Sequence, residues 1–184
     1  LLLQHMNRLQ NTNDLPVAAA GSGAVRRLFQ DETDTWLDVV DTIVPISSGR
    51  ELTWVSERDG WRHLFAIDRQ SGNARLLTRF EGDILDVAGI DVEGGRAYVI
   101  ASPERATERY LYVAPLGGDG RMQRVTPAGQ PGTHSYNISP DGRWAVHTWS
   151  RFDVPPRVDL VSLPAHRTIR TLADNATPQA RVAP

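Results

Sequence analysis

The feature that most limits the fold of this chain is a repeat. The last apolar residues of successive units, Leu28, Leu77, Val125 and Leu172, lie 49, 48 and 47 residues apart. The pairs Gly49-Arg50, Gly95-Arg96 and Gly142-Arg143 are spaced by 46 and 47, and Ser56, Ser102 and Ser150, each closing a second apolar run, by 46 and 48. Three independent markers with one period call for a fold made of like units. Four short antiparallel strands in every 40 to 50 residues are the signature of a β-propeller blade, and no 11-residue window carries a competing helical period. A β-helix has much shorter rungs, and a two-sheet sandwich has no reason for such a period. The expected fold is all-β: a partial β-propeller of about three and a half to four four-stranded blades, an arc of a larger ring.

The clearest single unit is the hairpin around Ser56 to Leu64. Asp59-Gly60 accepts the positive backbone dihedrals of a tight turn, with Glu51–Val55 entering and Leu64–Ile67 leaving. The same grammar predicts strands over Leu1–Asn7, Leu15–Ala20 and Ala24–Phe29, with Arg8–Asn13 a polar turn and Asp31–Asp34 an acidic loop. It predicts an innermost strand over Trp36–Ile46, and later strands over Ile84–Ile90, Arg96–Ala101, Tyr110–Leu116, Met122–Thr126, Gly132–Ser139, Arg143–Ser150, Val158–Leu163 and Thr168–Leu172, with Arg151–Pro156 a loop. Blades are expected at 1–34, 35–80, 81–128 and 129–175, within a propeller portion of 1–175, and 176–184 as a tail or linker toward a further domain. The first blade lacks an innermost strand, so the chain is expected to begin inside a domain.

A formal net charge of −2 gives no electrostatic case for nucleic acid or an anionic membrane as partner. The absence of cysteine removes disulfides, thiolate zinc sites and cysteine nucleophiles, and leaves the compartment open. Leu1-Leu2-Leu3 lacks the basic region and apolar length of a signal peptide.

Motifs with chemistry are few. Gly21-Ser22-Gly23 is one residue too short for a nucleophile elbow and sits in a hairpin turn. Gly117-Gly118-Asp119-Gly120 opens no helix, so it is no phosphate loop. The histidines at 5, 63, 134, 147 and 166 occupy different positions in the repeat, without pairing at metal spacing, so no metal or cofactor is expected. Glu57, Asp59, Gly60, Arg62 and His63 read as structural hairpin residues, with a carboxylate on one side facing a guanidinium on the other and His63 satisfied locally. Trp54, Trp61, Trp144 and Trp149 suit apolar packing between blades. Trp36 differs, because it stands where one blade hands over to the strand that would line a central channel, a better place for ligand contact than a blade face.

Several of these residues carry a family resemblance. Met6–Asn11, Glu32–Val39, Ser56–Leu64, Glu108–Tyr112, Gly132-Thr133-His134 and Ser139–Trp144 resemble, in order and over nearly the whole chain, the propeller of the dipeptidyl peptidase IV family of prolyl oligopeptidase-type serine peptidases. The Ser-Glu-Arg-Asp-Gly-Trp-Arg-His-Leu string is its most specific piece. The resemblance implies the second half of an eight-bladed propeller, joined in a parent protein to an α/β-hydrolase domain whose Ser, Asp, His triad releases N-terminal dipeptides, Xaa-Pro or Xaa-Ala. No catalytic residue of the family maps onto this chain. Trp36, Asp38 and Asp41 are the implied substrate-lining residues, although Leu37–Val40 replaces the Arg-Phe-Arg of the animal enzyme. The implied partners are a peptide substrate and the hydrolase domain; a homodimer and a periplasmic or secreted setting are compatible with it. The alternative from another class is a non-enzymatic propeller that binds a protein partner.

Overall fold

A computed structural model describes residues 1–175 and contains only strands, turns and one short 3-10 turn at Ser47–Gly49 among them. The expected tail at 176–184 lies outside the described residues. Fifteen strands form four antiparallel meanders in which each strand pairs with its neighbour in sequence. The first has three strands, β1 (His5–Met6), β2 (Thr12–Ala18) and β3 (Val25–Glu32), and so lacks a fourth, innermost one. The second runs β4 (Pro45–Ile46), β5 (Glu51–Ser56), β6 (His63–Asp68), β7 (Ala74–Leu76). The third runs β8 (Ile84–Asp91), β9 (Arg96–Ala101), β10 (Tyr110–Pro115), β11 (Gln123–Arg124). The fourth is β12 (Thr133–Ile138), β13 (Trp144–Arg151), β14 (Val154–Ser162), β15 (Arg167–Ala173). These are blades of a β-propeller.

The contacts divide the chain into two compact units, Leu1–Leu77 and Thr78–Pro184, with 78–175 described in the second. In the first unit a core of Leu15, Leu28, Phe29, Val40, Leu52, Trp54, Phe65 and Ile67 joins its two sheets. Trp54 is fully buried on β5, meets Phe29 edge to face at 5.5 Å, and donates its indole N–H to Asp31 Oδ2 at 3.1 Å. That bond lets a carboxylate sit inside the core. In the second unit Tyr98, Ile100 and Leu111 of the third sheet pack with Ala145, Val161 and Leu163 of the fourth.

The structure departs from the sequence expectation in several places, and the expected strands Leu1–Asn7 and Met122–Thr126 are strands only at His5–Met6 and Gln123–Arg124. Only Pro45–Ile46 of the expected Trp36–Ile46 strand enters a ladder, because the peptide groups before it are bonded by side chains instead. β2 starts at Thr12, inside the expected polar turn, and β3 continues to Glu32, through half of the expected acidic loop; Thr12 pairs with Glu32, and the Trp54 bond makes the buried Asp31 tolerable. The expected loop 151–156 shrinks to the two-residue turn Phe152-Asp153, since Arg151 pairs with Val154 and holds Asp153 at 2.7 Å. Pro155 and Pro156 are accommodated in β14 because they fall at a register shift against β13 and precede the stretch, from Val158 on, that pairs with β15.

Two changes test this packing. Gly60 and Gly72 both have positive φ, +97° and +76°, but a Cβ on Gly60 meets open space whereas one on Gly72 would lie 2.1 Å from the Leu28 carbonyl oxygen. Gly60→Ala is expected to cost about 1 kcal/mol in urea unfolding, and Gly72→Ala roughly 1–3 kcal/mol more. Equal losses would mean that β3 and the β6–β7 turn are less closely apposed than described. Trp54→Phe leaves the buried Asp31 carboxylate without its donor and is expected to cost about 1–3 kcal/mol, whereas Trp61→Phe, at a half-exposed position, should change stability by less than about 0.5 kcal/mol.

Candidate functional site

The segment from Trp36 to Val44 is an extended strap without ladder partners, fastened by amide side chains of the first sheet's leading edge. Gln10 accepts the indole N–H of Trp36 at its Oε1, 3.0 Å away, and its backbone carbonyl accepts the N–H of Leu37. Gln4 binds Val40 twice, as a strand would: its Nε2 donates to the Val40 carbonyl and its Oε1 accepts the Val40 N–H, both at 3.0 Å. The same Oε1 accepts from Asn13 Nδ2 at 2.9 Å, which fixes the amide's orientation. Farther along, Thr53 Oγ1 donates to the Thr42 carbonyl and accepts the Val44 N–H. Val40 is thereby drawn into the core, while Trp36, Asp38 and Asp41 point their side chains to solvent, Trp36 with 56% of its surface exposed.

Beside the strap lies an open cleft of about 620 Å³ lined by Asn11, Thr12, Asp31, Glu32, Thr33, Asp34, Leu37, Glu57 and Arg58. Four carboxylates face one guanidinium there. Of the strap residues only Leu37 is in the lining; Trp36, Asp38 and Asp41 stand outside it.

The hairpin between β5 and β6 closes on the pair Ser56 and His63, so its loop is Glu57–Arg62. Gly60 N–H bonds to the Glu57 carbonyl, and Arg58 N–H to Ser56 Oγ. His63 is buried and its Nδ1 lies 2.9 Å from Asp59 Oδ2, which ties that nitrogen to the turn. The Arg58 guanidinium lies over the Phe29 ring, 4.8 Å from its centre, a cation–π contact and not a cross-hairpin ion pair.

In the second unit the structure brings together three histidines that the sequence had left apart. His134 on β12, His147 on β13 and His166 in the turn before β15 are buried, at 2%, 1% and 8% exposure. His134 Nδ1 is 2.8 Å from His147 Nε2, and His134 Nε2 is 2.9 Å from the Gln130 carbonyl oxygen. Tyr136 stacks on His147 at 4.6 Å and its hydroxyl lies 2.8 Å from His166 Nε2 and 2.9 Å from Thr126 Oγ1. Burial, above all, pushes His134 down to about 4 and His147 to about 3; His166 is lowered for the same reason. Tyr136 is raised, mainly by burial. The cluster is not a metal centre: among the described residues no group of three or more His, Cys, Asp or Glu is arranged to hold an ion. What could have found it is the register of one hairpin. A turn at Asp141-Gly142 pairs Tyr136 with His147 and places His134 on the diagonal. The strap's fasteners, Gln4 and Gln10, gave no signal in the sequence.

Residues 1–156 match the family model of the dipeptidyl peptidase IV N-terminal region. A probable dipeptidyl peptidase 4 of Aspergillus fumigatus is 25% identical over 179 residues, covering 92% of this chain and 23% of the relative. A probable dipeptidyl-aminopeptidase B of Coccidioides posadasii is 26% identical over 110 residues, covering 59% of this chain and 12% of that protein. The crystal structure of Porphyromonas gingivalis dipeptidyl peptidase 4 superposes with a TM-score of 0.82 at 23% identity, covering 98% of this chain and 25% of that one. The chain thus spans a quarter or less of the length of these relatives, and the last comparison carries the fold. By the match over residues 1–156, the chain belongs to the dipeptidyl peptidase IV N-terminal region family.

Proposed function

We propose that this chain is a non-catalytic propeller portion of a serine dipeptidyl peptidase, and that the strap from Trp36 to Asp41 lines an extended subsite for the peptide. Family membership supports the first part. The second rests on one observation: Gln4 and Gln10 hold the strap through the peptide groups of Val40 and Leu37 and the indole N–H of Trp36, while Trp36 keeps 56% of its surface exposed and Asp38 and Asp41 stay exposed. A fixed backbone presenting an aromatic ring and two carboxylates suits a peptide whose distal residues are apolar or basic.

Chemistry belongs to the parent's α/β-hydrolase domain, where a serine activated by histidine would form an acyl-enzyme and release the dipeptide. The propeller's part is access and positioning. Binding far from the scissile bond acts alike on ground and transition states, so it changes KM more than kcat.

Two outcomes are expected. The 184-residue chain should not hydrolyse an Xaa-Pro chromogenic substrate, and turnover by it would overturn the assignment of catalysis to another domain. In the parent enzyme, Trp36→Ala is expected to raise KM for peptides of six or more residues roughly three- to tenfold, with kcat and the KM for a dipeptide chromogenic substrate little changed. Asp38→Asn should raise KM up to about fivefold for peptides with lysine or arginine in distal positions, an effect that fades with added salt. A KM unchanged for substrates of every length would remove the subsite role and leave Trp36 as a residue that packs on Gln10.

A further inference from the structure

The hydrogen bonds around the buried histidines fix where the shared protons of His134 and His147 lie. The Gln130 carbonyl can only accept, so His134 carries its proton on Nε2 and its Nδ1 is the acceptor. His147 must then donate from Nε2 to that Nδ1. In the second chain the Leu111 N–H donates to Thr126 Oγ1 at 2.8 Å. With His166 as the Nδ1–H tautomer, the threonine proton goes to the Tyr136 oxygen and the Tyr136 proton to His166 Nε2. The first chain needs a neutral His134, and the second, run in this direction, a neutral His166. A proton added at His134 Nδ1 would confront the His147 N–H across 2.8 Å, and one added at His166 Nε2 would confront the Tyr136 O–H across the same distance.

We propose that this histidine network is an acid-released catch: the side-chain tie between His134 on β12 and His147 on β13, added to the ladder that pairs those strands, holds only while His134 is neutral. His134 is on β12, His147 on β13, His166 in the turn between β14 and β15, and Thr126 just beyond β11. A proton on His134 Nδ1 breaks the tie to His147, and one on His166 Nε2 the tie to Tyr136.

The charged and titratable neighbours do not replace the lost bonds. Asp159, paired with His147 in the β13–β14 register, favours the charged form, but its carboxylate is bound by Arg157 Nε at 2.9 and 3.2 Å. Glu108, before β10, acts in the same sense on His134, but it is hydrogen-bonded to the Tyr110 hydroxyl. Arg124 on β11 and Arg157 on β14 oppose a further positive charge, as do the histidines themselves. Tyr110 lies tilted against His134 at 5.5 Å and Tyr136 stacks on His147, and burial raises both phenols above their ordinary value, so both stay neutral.

The direction of the pH effect follows. Histidines lowered in the folded state take up protons more readily when unfolded, near an ordinary value of about 6.5, so stability is complete above that value and falls as the pH drops below it. With His134 near 4 and His147 near 3, the loss continues through pH 5 and beyond. Each of these two histidines should raise the unfolding equilibrium constant about thirtyfold between pH 7.5 and 5.0.

Two measurements on the full chain decide the matter. Imidazole 15N spectra from pH 7.5 to 5.0 are expected to show His134 and His147 as Nε2–H tautomers, with neither of them titrating above pH 5. Titration of either between pH 6 and 7 would overturn the proposal. Urea unfolding at pH 7.5 and 5.0 should show that His147→Gln, which retains an N–H donor but cannot take up a proton, removes at least about thirtyfold of the wild-type acid sensitivity. An acid sensitivity equal to that of the wild type would overturn it. If the variant does not fold, the wild-type spectra give the decision by themselves.

Discussion

Every strand of this protein finds its ladder partner next to it in sequence, and that constraint shapes what the other interactions must do. Meanders satisfy backbone N–H and C=O groups locally and need only short turns, so each sheet can form with little loop-closure cost. A single meander cannot bury its own apolar faces. In the first unit Trp54 and Phe29 meet across two sheets, and in the second Tyr98 and Leu111 meet Ala145 and Val161. The ladder supplies geometry, and the contacts between sheets supply most of the apolar burial.

Where the ladder stops, side chains take over its work. Gln4 offers a donor and an acceptor to one residue of the strap in the manner of a strand's peptide group, and Thr53 does something similar for Thr42 and Val44. A segment held this way keeps an extended backbone but loses the strict alternation of a paired strand. That is why Asp38 and Asp41, three residues apart, can both face solvent while Val40 faces the core. A true strand would tend to send residues of opposite parity to opposite faces.

The period of the repeat and its glycine turns were legible in the sequence because they are local: a positive φ at Gly60, Gly95 or Gly142 is demanded within a few residues. The ends of β2 and β3 were not, since Asp31 belongs to a strand only by virtue of an indole 23 residues away. The strap was misread as a strand for a related reason. Its apolar and β-branched composition is that of a strand, and nothing local says that its hydrogen bonds go to glutamines near the start of the chain. As for the histidines, linear spacing hides them, because 13 residues separate His134 from His147 although the hairpin makes them neighbours. Of the candidate lining residues, the sequence could mark position in the repeat, but not which side chains the strap would leave exposed.

The two ways of fastening elements outside a ladder differ in one respect that bears on function. Amides neither gain nor lose protons near neutrality, so the bonds from Gln4 and Gln10 to the strap are indifferent to acid. Imidazole accepts a hydrogen bond only at a nitrogen that carries no proton, so a network built from it is conditional. A protein that had to keep one sheet tied at all pH values could have used amides in both places. Histidine in the fourth sheet and glutamine at the strap therefore divide the chain's polar ties into a kind that acid can break and a kind that it cannot. The geometry proposed to meet a peptide rests on the second kind.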